Sequence, residues 1–313
     1  MIEVALALGG GGIKGLAHIG VIRCLEKEGF KIKAIAGTSA GGLIGAAYAT
    51  GVPLSELEDL VIHVNQAHLF TRSITDGPGL MGLQGLTTIL AEFLGQRHFS
   101  DLAIPFACTA VDIHTAQEII LNQGYVLDAL LATIAMPGVF PPKELYGMSL
   151  VDGGVLDPVP VALARWLAPG LPVVAVCLSP KPEGWVNLSP IRIPAKPPIH
   201  IPIAVLEQFS RLRIAQAFNI FIKSMDITSR MLAETRMQIE KPDVIIRPEV
   251  EKFGVLDEVN ASELVNIGEQ SVAAALSALA NTHSVPNRIL RRFRRASLPG
   301  KTLVDAQHPS EEE

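Results

Sequence analysis

Short apolar runs alternate with segments of helical periodicity along the first part of the chain. Residues 3–8 and 33–36 are short and mainly apolar, which is typical of strands buried on both faces of a parallel sheet. Between them, residues 16–28 carry apolar side chains at helical spacing, and Gly29 is expected to end that helix. Small residues compatible with a helix follow at 40–48. The pattern predicts a β-α-β-α unit at the start of the chain.

The same alternation continues through the rest of the chain. A helix at 56–67 is expected to begin with a capping box at residues 55–58, whereas the glycine-rich residues 71–85 are expected to be irregular and mobile. The prolines of 136–142 predict an extended, rigid loop, and the proline-rich residues 180–202 exclude regular structure. Further strands are predicted at 104–112, 116–121, 149–152, 172–178 and 243–246, and further helices at 127–133, 204–234 and 261–279. We therefore predict an α/β protein with a mostly parallel sheet covered on both faces.

Composition narrows the class of protein. The 313 residues are 49% apolar, 18% charged and 5% aromatic, which favours one large domain with an aliphatic core. We expect this domain to span residues 1–280 and to be followed by a disordered tail, residues 281–313, that is first basic and then acidic. Residues 34–55 are uncharged but contain glycines and a proline, which favours a strand, a turn and a helix over a membrane span. The net charge of −5 argues against nucleic-acid binding.

The N-terminal region and the cysteines indicate the compartment. Glu3 precedes the first apolar run and no basic region does, unlike in a secretory signal. Cys24, Cys108 and Cys177 are widely spaced, so they predict neither a disulfide framework nor a metal site. We expect a cytoplasmic protein that needs no metal and no cofactor.

Residues 37–41 read G-x-S-x-G at the junction between a predicted strand and a predicted helix. A sharp turn of this kind leaves no room for side chains at Gly37 and Gly41, two positions either side of its apex. The apex residue, Ser39, would be held in a strained backbone conformation with its hydroxyl exposed, as the nucleophile of a serine hydrolase is. A tight structural turn is the alternative interpretation.

The glycines at 9–12 lie between the first strand and the first helix. Gly10, Gly12 and Gly15 match a dinucleotide-binding pattern, but the second strand ends without the carboxylate that would hold a ribose. Lys14 is followed by Gly15 rather than by Ser or Thr, which argues against a Walker nucleotide loop. Glycine N–H groups at a helix N-terminus can instead stabilise the oxyanion that forms when a serine attacks a carbonyl.

A nucleophilic serine needs a base, and the sequence offers two kinds. Asp152 ends a predicted strand and precedes Gly153 and Gly154, but the pKa of an ordinary aspartate is near 3.9, so it is a weak base. It can still serve if deprotonation is concerted with attack, although an aspartate here could also simply cap a turn. His200 and His283 lack a strand-end context and fit surface positions better, and they stay as alternatives.

In this order, the motifs resemble those of the patatin-like phospholipases, in particular the bacterial members. The family's G-G-G-x-[KR]-G loop, G-x-S-x-G turn and D-G-[AG] motif match residues 10–15, 37–41 and 152–154, and residues 136–142 resemble the run before its catalytic Asp. The resemblance covers about residues 3–280. It implies an α/β/α sandwich, hydrolysis of lipid acyl esters and no metal requirement. It also implies that Ser39 is the nucleophile, that Asp152 is the proton acceptor, and that the oxyanion hole is formed by Gly10, Gly11, Gly12 and Ala40.

We therefore expect a phospholipase A or lysophospholipase that works through an acyl-enzyme. A thioesterase or acyltransferase on the same dyad, and a non-catalytic lipid-binding regulatory protein, are the alternatives. An acyl chain needs an apolar channel, and four apolar residues are candidates for its mouth, with core packing as the other interpretation: Leu80, Met81, Leu83 and Leu86.

The predicted tail contains a cluster of arginines interleaved with apolar residues. Such a cluster could hold the protein against an anionic membrane, at the inner face of the cell membrane, or could simply be solvated. Its members are Arg288, Arg291, Arg292, Arg294 and Arg295.

Overall fold

A computed structural model describes residues 2–64, 66–72, 77–182, 206–282, 284, 287, 291 and 298–303. The strands are β1 (Ile2–Leu8), β2 (Phe30–Gly37), β3 (Phe106–Asp112), β4 (Gln117–Leu121), β5 (Lys143–Leu145), β6 (Met148–Asp152), β7 (Val173–Val176), β8 (Val244–Ile246) and β9 (Lys301–Thr302). The helices are α1 (Ala17–Lys27), α2 (Ala40–Ala49), α3 (Leu54–His63), α4 (Gln66–Leu69), α5 (Gln84–Leu94), α6 (Val126–Thr133), α7 (Val161–Leu167), α8 (Leu206–Glu240), α9 (Ala261–Ala273) and α10 (Leu276–Asn281).

The strands of the described residues form one nine-stranded sheet with the order β5-β6-β3-β2-β1-β7-β8, and β4 and β9 extend it beside β3. The pairs β3-β2, β2-β1, β1-β7, β7-β8 and β4-β9 are parallel, whereas the pairs β3-β4, β3-β6 and β5-β6 are antiparallel. The predicted mostly parallel sheet is confirmed.

Side chains that alternate along β1 enter two separate cores. Val4, Leu6 and Leu8 pack with α1, α2, α6, α9 and α10 on one face of the sheet. Ala5 and Ala7 pack with α7 and α8 on the other face, where alanines let the helices come close. The three-layer α/β/α sandwich is therefore confirmed, and its core is largely aliphatic.

Several local predictions were wrong. The capping box at 55–58 does not form, because α3 begins at Leu54 and the carbonyl of Pro53 accepts from the N–H of Glu56 at 3.0 Å. The loop at 136–142 is compact rather than extended, since the N–H groups of Val139 and Phe140 donate back to the carbonyl of Met136.

Other predictions missed or merged elements. Gln84–Leu94 forms α5 inside a region expected to be irregular, and β5 pairs with β6 in a hairpin that the pattern did not predict. The last predicted helix is divided into α9 and α10. Most of the proline-rich stretch at 180–202 lies outside the described residues.

The described residues of the predicted tail lie against the domain, so the prediction of disorder is wrong for them. Lys301 and Thr302 pair with β4, and the side chain of Leu303 is buried. Arg291 is also buried and donates to Oδ1 of Asp243 at 3.2 Å, which removes it from the proposed membrane contact. The other four arginines of that cluster lie outside the described residues.

In the described part of the chain, no helix is both long enough and apolar enough to cross a bilayer. The uncharged residues 34–55 form the end of β2, a turn, α2 and the start of α3, as predicted.

Three carboxylates surround the guanidinium of Arg236 where α8 crosses the loop after β6. Nη2 of Arg236 lies 3.0 Å from Oδ2 of Asp157 and 2.8 Å from Oε1 of Glu240, and Nη1 lies 3.6 Å from Oε2 of Glu118. Nη1 also donates to the carbonyl of Leu156 at 3.1 Å. Asp157 is fully buried, and this burial raises its pKa well above the usual value. One cation therefore compensates the buried acids and holds this loop against α8.

We predict that Arg236→Leu destabilises the protein by about 3–5 kcal/mol, because it leaves buried carboxylates without a counter-charge. The free energy of unfolding in urea at pH 7 measures the loss. Lowering the pH should reduce the loss, since the raised pKa of Asp157 allows the proton to replace the missing cation.

Asp157→Asn is the matched control. It removes one of the crowded carboxylates and leaves the guanidinium with two partners, so we expect a change of less than about 1 kcal/mol. A loss as large as that of Arg236→Leu would contradict the interpretation that Arg236 acts through charge compensation.

Candidate active site

Ser39 lies at the apex of a sharp turn between β2 and α2. Its backbone has φ 54° and ψ −124°, in the left-handed half of the map, which a residue with a Cβ atom adopts only under strain. The N–H of Ser39 donates to Oγ1 of Thr133 at 2.9 Å, so α6 fixes the apex. A Cβ atom at Gly37 would lie 2.6 Å from the carbonyl carbon of Gly41, and a Cβ atom at Gly41 would lie 2.8 Å from the carbonyl oxygen of Gly9. The two flanking glycines are therefore required by close backbone approach.

Hydrogen bonds of buried threonines hold the serine turn in place. The hydroxyl of Thr38 donates to the carbonyl of Asp157 at 2.8 Å and shares a 3.0 Å hydrogen bond with the hydroxyl of Thr109. These contacts link the serine turn to β3 and to the loop that Arg236 holds. Sequence reasoning missed Thr38, Thr109 and Thr133, since no local pattern shows that they meet.

The topology of the sheet brings the serine turn to Asp152. β4 pairs with residues 108–112 of β3, so β2 and β6 share the other edge of β3. Gly37, the last residue of β2, lies opposite Cys108, and Asp152, the last residue of β6, lies opposite Ala110. Because β2 runs parallel and β6 antiparallel to β3, their C-terminal ends approach each other. The two predicted motifs therefore meet at one point on the sheet.

The carboxyl group of Asp152 is buried beside the serine. Burial raises its pKa to about 6, while the nearby side chain of Ser39 and the hydrogen bond from the N–H of Gly154 favour the ionised form. The bond from Gly154 to Oδ1 is 2.7 Å long. A Cβ atom at Gly153 would lie 2.5 Å from the carbonyl oxygen of Thr109, which explains the glycine that follows the aspartate. Asp152 is thus a stronger base than an ordinary aspartate.

The glycine loop after β1 packs directly against the serine turn, since a Cβ atom at Gly10 would lie 3.2 Å from Cβ of Ser39. The N–H of Gly10 donates to the carbonyl of Pro158 at 3.0 Å. This corrects the sequence prediction, because that N–H group is already engaged. Within the described residues, the N–H groups of the other predicted oxyanion donors have no hydrogen-bond acceptor: Gly11, Gly12 and Ala40.

Two further residues hold the loop in place. Gly15 allows the turn after the loop to touch α2, since a Cβ atom there would lie 2.5 Å from Cβ of Ala40. Nε2 of His18 lies 2.8 Å from the carbonyl oxygen of Gly9, and burial lowers the pKa of His18 to about 4. A neutral imidazole therefore supports the loop from the core, a role that the sequence did not suggest.

Two cavities open from Ser39. The first, of about 200 Å³, lies between the glycine loop, Asp152 and α8, and its wall includes Leu80 and Met81. The second, of about 180 Å³, lies between α2, α3 and α5, and its wall includes Leu83 and Leu86. No charged side chain of the described residues lines the second cavity. All four residues predicted at the mouth of a channel therefore line a cavity that reaches the serine.

Other candidates from the sequence do not reach this site. His200 and His283 lie outside the described residues. Cys24, Cys108 and Cys177 are buried with free thiols. Among the residues whose placement is described, no group of three His, Cys, Asp or Glu side chains is arranged to hold a metal ion.

This chain resembles parts of longer curated relatives. An uncharacterised NTE family protein of Mycobacterium tuberculosis is 36% identical over 163 residues, which are 51% of this chain and 45% of that protein. Lysophospholipase NTE1 of Coccidioides immitis is 28% identical over an alignment 321 positions long, which covers 96% of this chain and 20% of that protein. The chain therefore spans less than half the length of these relatives.

A solved structure and a family model also match this chain. VipD from Legionella pneumophila has the same fold, with a TM-score of 0.53 and 12% identity over 88% of this chain and 67% of that one. The model of the patatin-like phospholipase family matches residues 6–165, about half of the chain, and this region contains the glycine loop, Ser39 and Asp152. The chain belongs to the patatin-like phospholipase family.

Proposed function

We propose that this protein is a serine acyl hydrolase that cleaves fatty-acyl esters of phospholipids or lysophospholipids through a Ser39–Asp152 dyad. The observation that carries the proposal is the strained backbone of Ser39, whose side chain lies close enough to the buried carboxylate of Asp152 to lower its pKa, at a point that both cavities reach. Membership of the family and the resemblance to a lysophospholipase support a lipid ester as the substrate.

Asp152 is proposed to accept the proton of Ser39 as the hydroxyl oxygen attacks the ester carbonyl. A carboxylate with a pKa of about 6 is ionised at neutral pH and is basic enough to assist a concerted transfer. The proton then passes from Asp152 to the departing alcohol oxygen, which leaves an acyl-enzyme on Ser39. Water attacks this acyl-enzyme, again with Asp152 as the base, and releases the fatty acid.

The developing oxyanion is proposed to accept hydrogen bonds from the N–H groups of Gly11, Gly12 and Ala40. These groups have no acceptor among the described residues, so they are available to substrate. Ala40 is also the first residue of α2, where the helix dipole favours negative charge. Each such donor typically contributes about 3 kcal/mol to stabilising the transition state.

The acyl chain is proposed to occupy the second cavity. Its wall is apolar apart from Ser39 and Gln66, so it favours a hydrocarbon chain over a polar leaving group. The first cavity then receives the alcohol side of the ester.

We predict that a fluorophosphonate probe labels Ser39 covalently, as established by peptide mapping. Asp152→Asn should slow the labelling by about 10²–10⁴-fold, because the hydroxyl loses its general base. Ser39→Ala should abolish it, whereas Ser224→Ala, which alters an exposed serine on α8, should label like the wild type. Absence of labelling at Ser39 in folded protein would contradict its assignment as the nucleophile. Labelling of Asp152→Asn at the wild-type rate would contradict the assignment of Asp152 as the base.

Hydrolysis is predicted to depend on the ionisation of Asp152, because a protonated carboxyl group cannot accept the serine proton. With a pKa of about 6, kcat/KM for an uncharged p-nitrophenyl ester should be level above that pH and fall about tenfold for each pH unit below it. A profile that is level down to pH 5 would contradict the assignment.

The same pKa sets the effect of Asp152→Asn on stability. The pKa in the folded state, about 6, exceeds the usual 3.8, so the folded protein binds this proton more tightly than the unfolded chain does. Ionisation above pH 6 therefore destabilises the fold. We expect Asp152→Asn to raise the free energy of unfolding at pH 7 by up to about 3 kcal/mol, with the gain disappearing below pH 4. A stability loss at pH 7 would contradict this view of the carboxylate.

A further inference from the structure

The wall of the first cavity holds a buried arginine with unused hydrogen-bond donors. Arg230 lies on α8 and is 8% exposed. Its Nη2 lies 2.6 Å from Oδ2 of Asp226, one turn earlier on the helix. Its Nε and Nη1 are buried with no hydrogen-bond partner among the described residues. A buried charged group with unmet donors is costly, so this arrangement needs a further acceptor.

A second buried cation lies in the same wall. Lys14 follows the glycine loop, is 6% exposed and has no ion pair within 4.0 Å among the described residues. Burial lowers the pKa of Lys14, while the nearby carboxylates of Asp226, Glu251 and Asp257 oppose that shift. Of these three acids only Asp226 lines the cavity, and Arg230 already binds it. Asp152 also lines this cavity, beside Ser39, so the wall holds two cations and two acids. The buried donors of Arg230 nevertheless have no acceptor among the described residues.

The position of the two cations matches one part of a lipid ester. Both cavities reach Ser39, so a bound ester would place its acyl chain in one and its alcohol in the other. The second cavity has no charged lining among the described residues, whereas the wall of the first includes Lys14 and Arg230 together with Asp152 and Asp226. In a phospholipid, the alcohol that leaves carries a phosphate.

We propose that Lys14 and Arg230 bind the phosphate of a phospholipid substrate, so that the first cavity selects for phosphate-bearing lipids over uncharged glycerides. The proposal rests on the proposed function for the position of the ester at Ser39. The unused donors of Arg230 and the ammonium of Lys14 would supply charge-assisted hydrogen bonds to the phosphate oxygens.

The test compares two substrates that share one acyl chain and differ by the phosphate: lysophosphatidylglycerol and monoacylglycerol, both with a palmitoyl chain, in the same detergent micelles. The wild type should prefer the phospholipid. Arg230→Gln and Lys14→Gln should each lower kcat/KM for the phospholipid by about 10- to 100-fold, and for the monoacylglycerol by less than about threefold.

Lys223→Gln is the matched control, because it removes one positive charge from an exposed position on α8. It should leave both activities within about twofold. Equal losses on both substrates in the Arg230 variant, with an unchanged melting temperature, would overturn the proposal and indicate a general effect on the site. No loss on either substrate would overturn it as well.

A binding measurement separates this proposal from the proposed function. Isothermal titration of the full chain carrying Ser39→Ala with hexadecyl-phosphoglycerol ether and with hexadecylglycerol ether compares two ligands that cannot be hydrolysed and differ by the phosphate. Tighter binding of the first, lost in Arg230→Gln, would support the phosphate site even if no ester were hydrolysed. Equal affinities would overturn it. Glycerol 3-phosphate binding as tightly as the phosphate amphiphile would overturn the assignment to a lipid.

Discussion

The arrangement of the site depends on a carboxylate that is kept ionised in a buried position. Asp152 accepts a hydrogen bond from the N–H of Gly154 and lies near the side chain of Ser39. These two neighbours do not cancel the effect of burial, since its pKa stays near 6. Ser39 adds backbone strain of its own. Both residues are unfavourable for stability, so the aliphatic sheet and the helices on its two faces have to supply the free energy that holds them together.

Much of the site could be predicted because its requirements are local in sequence. Gly37 and Gly41 indicate the sharp turn directly, since neither position can hold a Cβ atom. Gly153 likewise has no room for a Cβ atom, because the backbone of β3 lies too close. This glycine indicates that β6 ends at Asp152. The alternation of apolar runs and helical segments likewise predicted the sheet and its two helical layers, because burial on both faces leaves a clear pattern.

The rest could not be predicted because it depends on contacts between residues far apart in the chain. Nothing in the sequence near Gly10 indicates an acceptor for its N–H group, yet the carbonyl of Pro158 accepts a hydrogen bond from it. His18 looks like one histidine among eight, and only the fold shows that it supports the glycine loop. The N–H of Glu56 donates to the carbonyl of Pro53, so α3 begins at Leu54 and the predicted capping box does not form. The unused donors of Arg230 are visible only once α8 lies across the site.

The long helix α8 separates attachment from recognition. Arg236 and Met237 fix its C-terminal part to the loop after β6 and to the sheet, about 9 Å along the helix from Arg230. The residues from Phe218 to Arg230 that line the first cavity make different contacts, since Phe218 and Ile222 pack against the cluster that contains Val139 and Phe140. Substitutions in this stretch can therefore change what the cavity accepts while the helix stays docked. Such a division lets the shape and charge of the first cavity change through one helix, with the strained serine and the neighbouring carboxylate left untouched.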